Sequence, residues 1–270
     1  MKKYFFTVFL SFSFFAFAGN DNQYIGSRSN ALGNASVTLN DVWSTTHNQA
    51  GLAFMKNISV GVYYENRFNI NALSLKAGAF VLPVKPGCFG LSFSNFGYSL
   101  YSENKIGLAF AKAFGENISA GVQIDYLTCK IGENYGSKNS VVGEIGLQFK
   151  LIKNLTIGTH IYNITRAKFA DYTNEKIPTI MRLGLDYKFS EKVFIATEIE
   201  KDIDQNAVFK TGLEYHVVEA LYIRAGISTN PTLSCFGFGI KLKNFKLDIS
   251  STYHSVLGFS PQMGLSYDFN

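Results

Sequence analysis

From residue 57 onward, apolar and polar residues alternate in one segment after another, with turn residues between the segments. Ile118, Ala120, Val122, Ile124 and Tyr126 interleave with Ser119, Gly121, Gln123 and Asp125. Val141, Gly143, Ile145, Leu147 and Phe149 do the same with Val142, Glu144, Gly146 and Gln148. Further along, Leu221, Ile223, Ala225 and Ile227 interleave with Tyr222, Arg224, Gly226 and Ser228. The chain closes on Met263, Leu265, Tyr267 and Phe269 set against Gln262, Gly264, Ser266 and Asp268. A period of two held over a whole segment predicts a strand with one apolar and one polar face.

About fourteen such segments can be placed, the first centred near residue 61 and the last near residue 265. Each approaches the ~9–11 residues that a tilted membrane strand needs. The connections add a second pattern. Those after even-numbered segments are tight: Pro86-Gly87, Gly115-Glu116-Asn117, Lys153-Asn154, Ser190-Glu191-Lys192, Val218-Glu219 and Lys243-Asn244. Several after odd-numbered segments are longer and more polar, namely Gly132 to Asn139, Arg166 to Lys176 and His254 to Ser260. Short turns at one end and longer loops at the other is the asymmetry of an outer-membrane barrel.

A secreted β-sandwich would alternate as well, with its charged residues outside. Parity alone puts Asp125, Glu144, Arg182, Asp186, Glu198, Lys210, Glu214, Arg224, Lys241 and Asp248 on the polar face, without saying whether that face meets water or a lumen. Segment count and the aromatic C-terminal strand favour the barrel. The expected fold is therefore all-β: a transmembrane antiparallel barrel of about fourteen strands over residues 57–270.

Composition narrows this further. Of 270 residues, 17% are charged, against roughly 25% in a soluble domain. Phe (25), Tyr (15) and Gly (24) are abundant, yet mean hydropathy is only +0.06, too polar for a bundle of membrane helices. At the start, Met1-Lys2-Lys3, the apolar run Tyr4 to Phe15 and Ala16-Phe17-Ala18 read as a signal peptide cleaved before Gly19. An uncleaved anchor helix is the other reading, but the run is short of the ~20 residues that span a bilayer. Without Lys2 and Lys3 the formal charge falls from +5 to +3, too balanced to argue for nucleic acid.

Chemistry is sparse. Cys88, Cys129 and Cys235 are far apart and odd in number, which fits three packed thiols; one disulfide with a spare thiol is the alternative. His47, His160, His216 and His254 show no metal-ligand spacing, and no cofactor motif is present. His216 and Glu214 share a strand face and suit an ion-paired couple. Ser250, Ser251 and His254 are the one candidate for hydrolytic chemistry, without an acidic third member; no enzyme activity is expected.

Residues 19–56 break the strand pattern. They are small and polar, but carry Trp43, Leu52, Phe54 and Met55, which a loose tail would not need. The segment reads as a plug, or hatch, whose Arg28 is expected to meet a carboxylate of the wall, since an unpaired buried charge costs several kcal/mol. Paired wall charges behind such a plug argue against a general porin.

The residues Gly26, Arg28, Ala31, Leu32, Gly33 and Ala35, then Asp41, Trp43 and Asn48-x-Ala50-Gly51-Leu52-Ala53, resemble the N-terminal signature of PorV/PorQ-type outer-membrane proteins, relatives of the FadL fatty-acid transporters. The family pattern reads G-x-R-x-x-x-[LM]-G-x-A followed by N-P-A-G-L-A. Gln49 stands where the family usually has Pro, which implies a less rigid turn. The resemblance implies residence in a bacterial outer membrane, in contact with its lipid, and one of two roles. PorV-like members assist type IX protein secretion, with a translocon or exported cargo protein as partner. FadL-like members conduct a hydrophobic small molecule such as a long-chain fatty acid. The secretion role is the first expectation, the conduit the alternative, and a purely structural barrel the third.

Overall fold

The computed structural model describes residues 23–132, 136–170 and 175–269. The expected signal peptide lies outside the described residues. Among the described residues sixteen strands follow one another: β1 (Ser59–Asn66), β2 (Ser74–Val84), β3 (Gly87–Tyr98), β4 (Tyr101–Phe114), β5 (Ile118–Ile131), β6 (Ser137–Ile152), β7 (Leu155–Tyr162), β8 (Lys168–Ala170), β9 (Glu175–Lys176), β10 (Ile180–Lys188), β11 (Val193–Asp202), β12 (Val208–Val218), β13 (Leu221–Ser228), β14 (Leu233–Leu242), β15 (Phe245–His254) and β16 (Gly258–Asp268). All but β8 and β9 join one closed antiparallel barrel of fourteen strands, in which β7 neighbours β10 and the last strand, β16, pairs with β1. Closure gives every barrel strand a neighbour on both sides, as a bilayer demands because its core has no water to satisfy free N–H and C=O groups.

Side-chain direction settles the question that parity left open. Ile124 is 66% exposed while its neighbour Asp125 is fully buried. Leu108, Leu183, Phe209 and Phe238 stand outside, whereas Glu144, Arg182, Glu198, Lys210, Glu214 and Arg224 are buried within. A sandwich would reverse this. Apolar side chains outside and charges inside is stable only if the surroundings are apolar, so the wall is a transmembrane one. Two residues of the expected polar face depart from the rest: Lys241 is exposed at the turn end of β14, and Asp248 is half-buried.

The tight turns fall where the alternation breaks, so one end of the barrel is trimmed short. At the other end the longest connection is 163–179, which carries the small β8–β9 hairpin. One expected long loop is not long. The strands continue into the stretch His254 to Ser260 and leave only residues 255–257 between β15 and β16. His254 Nδ1 accepts the amide N–H groups of Val256 and Leu257 at 3.1 and 3.2 Å, and Gly258 takes a φ of 86°, so a tight turn forms within a polar-looking run.

Candidate functional site

The interior is where wall and N-terminal segment meet. That segment contains two short helices, α1 (Ser27–Ala31) and α2 (Ser44–His47), and a 3-10 helix over Gln49–Phe54. Its first described residues lie near the loop end, where Gln23 accepts a hydrogen bond from Arg67. The chain then runs among inward side chains and leaves beside the short turns to begin β1. Along this path it bonds to β1, β6, β7, β10, β11 and β12.

Each motif residue has a physical task here. Gly26 has a φ of 110°, and a Cβ there would sit 3.0 Å from the Trp43 indole. Gly33 (φ 67°) brings the backbone against Ile227 of β13, with a Cβ 2.7 Å from that residue's carbonyl oxygen. Gly51 lets Leu39 O approach to what would be 2.7 Å from a Cβ. Ala35 is buried with Leu32, Leu39, Phe194 and Ala196. Asp41 accepts the Trp43 N–H at 2.9 Å and faces Arg28 at 3.5 Å. Asn48 donates to Val37 O at 2.7 Å, and to Leu147 O and Thr159 O of the wall at 3.2 and 3.3 Å; its Oδ1 caps Ala50 N at 3.1 Å. Ala50 is fully buried, and Leu52 packs with Trp43, Tyr63 and Leu75 in the largest apolar cluster.

The wall is shaped for this segment by glycine. Leu32 Cα and O would be 2.5 Å from a Cβ at Gly212, and Gln49 C would be 2.5 Å from one at Gly121. Gly90, Gly158, Gly226 and Gly237 likewise face atoms of the segment at distances no side chain could share. Gly121, Gly158, Gly212 and Gly226 are thus contact points for the segment's backbone, and Gly90 and Gly237 for its side chains. Sequence reading had no means of finding this partnership, because nothing in a strand's alternation names what presses on it.

Electrostatics ties the same two parts together. The carboxylate expected for Arg28 is Glu214, held through Nε and Nη2 at 2.9 and 3.0 Å; Glu214 also accepts from Arg224 at 2.6 Å and meets His216 at 3.2 Å. Arg224 reaches on to Asp248 at 2.5 Å. A second group joins Arg182 and Lys210 to Glu198 and Glu200, with Tyr24 donating to Glu200. Glu198 in turn accepts the backbone N–H groups of Ser36 and Val37 at 2.7 and 2.9 Å. The third holds Lys105 between Asp125 and Glu144 at 3.0 and 2.7 Å, with His160 on Glu144 at 3.0 Å. Gln49 belongs to this group: its Nε2 donates to Glu144 at 2.6 Å. Where the pattern has Pro, the Gln49 amide thus ties the turn to a buried carboxylate.

In the half of the segment that carries His47, burial lowers the imidazole pKa from 6.5 to about 4, with Arg182 opposing protonation and Asp41 favouring it. Its Nε2 lies 2.5 Å from Ile25 O, so the neutral ring donates there. Among the described residues no set of three His, Cys, Asp or Glu side chains converges as metal ligands would. All three cysteines are buried as thiols rather than joined in a disulfide. Ser250 is bonded to Gln262 and Ser251 to Ser260 O, and His254 is engaged by the turn beyond β15, so these residues do not assemble a hydrolytic pair.

At the loop end the inner wall turns apolar. β7 pairs with β6 only from Ile145 to Ile152, so the outer half of β6 lacks a strand partner on that side. The chain after β7 fills the notch: Ile164 N donates to Gly143 O at 3.0 Å and Ser140 Oγ to Lys168 O at 3.1 Å. Asn163 fastens this stretch through bonds to Ala167 and Ile177. Ile177 packs inward with Leu127, Val142, Tyr162 and Ile180. Beside this patch lies a cavity of about 30 Å³ bounded by Ile25, Phe96, Leu127, Tyr162, Glu103 and Lys105. That is roughly the share of one water molecule.

A closed fourteen-strand transmembrane barrel whose lumen is threaded by the chain's own N-terminal segment belongs, by fold, with the outer-membrane channels. The chain is similar to the solved CymD monoaromatic hydrocarbon channel (TM-score 0.72, 14% identity, 93% of this chain and 99% of that one). It is also similar to the Pseudomonas putida toluene transporter TodX (0.66, 13%, 90% and 97%) and to a Pseudomonas aeruginosa FadL homologue (0.64, 12%, 90% and 98%). No family model matches the chain, and no curated protein does. At these identities the likeness is one of fold, and none of the three is described by a role in secretion. They are channels and transporters rather than enzymes.

Proposed function

We propose that this protein is a bacterial outer-membrane channel for a hydrophobic small molecule, and that residues 19–56 are its plug. The observation that carries the reading is the combination of a barrel sharing the fold of hydrocarbon channels over nine-tenths of both chains with a lumen closed by specific bonds to the N-terminal segment. The segment's bonds to β6, β11 and β12 lie across the lumen, so conduction past it requires the segment to shift. The apolar patch at Leu127, Val142, Tyr162 and Ile177 then supplies the surface such a molecule would meet first on the loop side. Secretion, the role expected first from the motif, rests on that motif alone.

The test is uptake by vesicles holding the purified barrel, offered labelled toluene and labelled dodecanoate beside a hydrophilic sugar. Protein-dependent uptake of a hydrophobic compound, with exclusion of the sugar, is the expected result. Uptake no faster than in empty vesicles for every hydrophobic compound overturns the proposal. Free passage of the sugar would make the protein a porin.

A further inference from the structure

The outer face of the barrel is not uniform around its girth. On β12 and β13 it is apolar up to the loop end, where Phe209 and Ile227, each one residue from the end of its strand, are 55% and 46% exposed. β4, β5 and β6 are longer, at 14, 14 and 16 residues, than the ~9–11 of a tilted crossing. The outward residues of β5 are apolar from Ile118 through Val122 and Ile124 to Tyr126, which already fills such a crossing, and Thr128 and Lys130 lie beyond it. Register carries this change of character across five strands. One outward row, Gly78, Phe93, Ile106, Tyr126 and Val141, belongs to the apolar belt. The next row toward the loops is Lys76, Asn95, Asn104, Thr128 and Asn139. Lys130 stands one outward position further on, between Ser102 and Ser137.

Charge on this face has one sign. The acids of β1 to β6, Glu65, Glu103, Asp125 and Glu144, are all buried on the lumen side. Lys76 and Lys130 are exposed on the outside, and among the described residues of these strands no carboxylate shares that face with them. Asn95 Nδ2 donates to Asn104 Oδ1 at 2.8 Å, which leaves each amide its other polar atom. Three strand spacings and two residues separate Lys76 from Lys130, about 16 Å between backbones, and both stems are long enough to lean toward each other. A surface cationic at its ends, with amide and hydroxyl groups between, suits a ligand that is anionic at its ends and hydroxylated in the middle. The layer it stands against, just past the hydrocarbon on the loop side, is that of the outer-leaflet head groups. We propose that the loop-end outer face of β2 to β6 binds the phosphorylated sugar head group of an outer-leaflet glycolipid. Its phosphates lie on Lys76 and Lys130 and its hydroxyls on Asn95, Asn104 and Asn139, while its acyl chains run down over Phe93, Ile106 and Tyr126. The inference rests on the outer-membrane placement of the barrel and is independent of what the lumen conducts.

The experiment is native mass spectrometry of the full-length barrel in a neutral detergent, titrated with bisphosphorylated lipid A, its dephosphorylated form, phosphatidylglycerol or inorganic phosphate. Wild type is compared with the Lys76→Gln/Lys130→Gln and Lys76→Arg/Lys130→Arg double variants. Lys112→Gln is the control, because Lys112 also faces outward on β4 but at the turn end, beside Phe114. Heat-modified migration on a gel verifies that each variant is a folded barrel. The glutamine pair should weaken bisphosphorylated lipid A roughly thirtyfold, while the arginine pair and Lys112→Gln keep the affinity of wild type. The dephosphorylated form should bind more weakly and without regard to the lysines. Equal binding of bisphosphorylated lipid A by wild type and the glutamine pair overturns the proposal, as does an equal loss in Lys112→Gln. Phosphatidylglycerol bound as tightly and with the same lysine dependence would reduce the face to a contact for any anionic lipid, and displacement of lipid A by inorganic phosphate would reduce it to a phosphate site; either overturns the claim for a sugar head group. A dimer that the glutamine pair abolishes would assign the face to a second copy of the chain and overturn it as well.

Discussion

Gly212 offers the sharpest test of how the N-terminal segment is held. Replacing it with Ala adds one methyl group, which would lie 2.5 Å from both Leu32 Cα and Leu32 O, where ordinary contacts lie at 3.4–4 Å. Those are backbone atoms, so no rotamer change relieves the overlap. The wall is equally unable to yield, because Gly212 is paired on both sides, with Ala196 of β11 and Gly226 of β13. The segment must therefore retreat by about 1 Å, loosening Leu32 from Ala35, Leu39, Phe194 and Ala196. Overpacking of this kind costs about 1–3 kcal/mol. Expressed as a lower free energy of local opening, it speeds amide exchange in the segment roughly five- to a hundredfold. Hydrogen exchange by mass spectrometry on residues 26–52, in detergent, measures this directly. Heat-modified migration on a gel reports barrel integrity. Gly78→Ala is the control, since the nearest neighbour of its methyl group, Gly61 O, is at 3.8 Å, an ordinary contact. If Gly212→Ala leaves exchange in residues 30–36 at the wild-type rate, the glycine contacts do not hold the segment. If protection falls equally in β11 to β13, the barrel and not the segment has been destabilised. Either result refutes the argument.

Four further outcomes are expected. Arg28→Met and Glu214→Gln should each loosen the segment by about 2 kcal/mol, below the 3–5 of a fully buried broken pair because Arg28 is a quarter exposed and Glu214 keeps Arg224. A double-mutant cycle should return coupling of about 1 kcal/mol or more between them, and additivity would show that the bond is incidental. Gln49→Ala should weaken docking by about 1.5–3 kcal/mol, the worth of a bond to a charged group, and Gln49→Pro by a similar amount although Pro is what the N-P-A-G-L-A pattern carries there; a stabilising Gln49→Pro would refute the role given to the amide. His47 ionises near 6.5 when free and near 4 in place, so the released segment binds more protons between those values. Docking is then fully stable above about pH 6.5 and loses up to roughly 3 kcal/mol as pH falls to about 4, a slope that His47→Gln should abolish in exchange measurements. Cys88, Cys129 and Cys235 should resist maleimide in the folded barrel and react on unfolding, and prompt labelling of any one would contradict its burial.

Much of the barrel was legible before the fold was known. Strand positions and the tight turns followed from alternation and turn residues, because a wall with lipid on one side and a packed lumen on the other imposes a period of two at every strand. The N-terminal segment stood out for the opposite reason, having no period at all while retaining Trp43 and Leu52. Its Arg28 could be assigned a carboxylate in advance by charge cost alone. Which carboxylate, and from which strand, could not be read, since Glu214 lies 186 residues away in the chain.

What the amino-acid sequence determined by itself is local: where strands run, where they turn, which residues share a face, and that one stretch declines to be a strand. Tertiary structure alone decided which face is inside, that the sheet closes β16 onto β1, and that Gly121, Gly158, Gly212 and Gly226 are seats for a backbone rather than weak points in strands. It also decided that Gln49 is an anchor, tied to the buried carboxylate of Glu144. The physical reason is range. Periodicity and turn chemistry act over a few residues, whereas a lumen is made by side chains from every strand at once, and what fills it is chosen by distances that exist only after the barrel has closed.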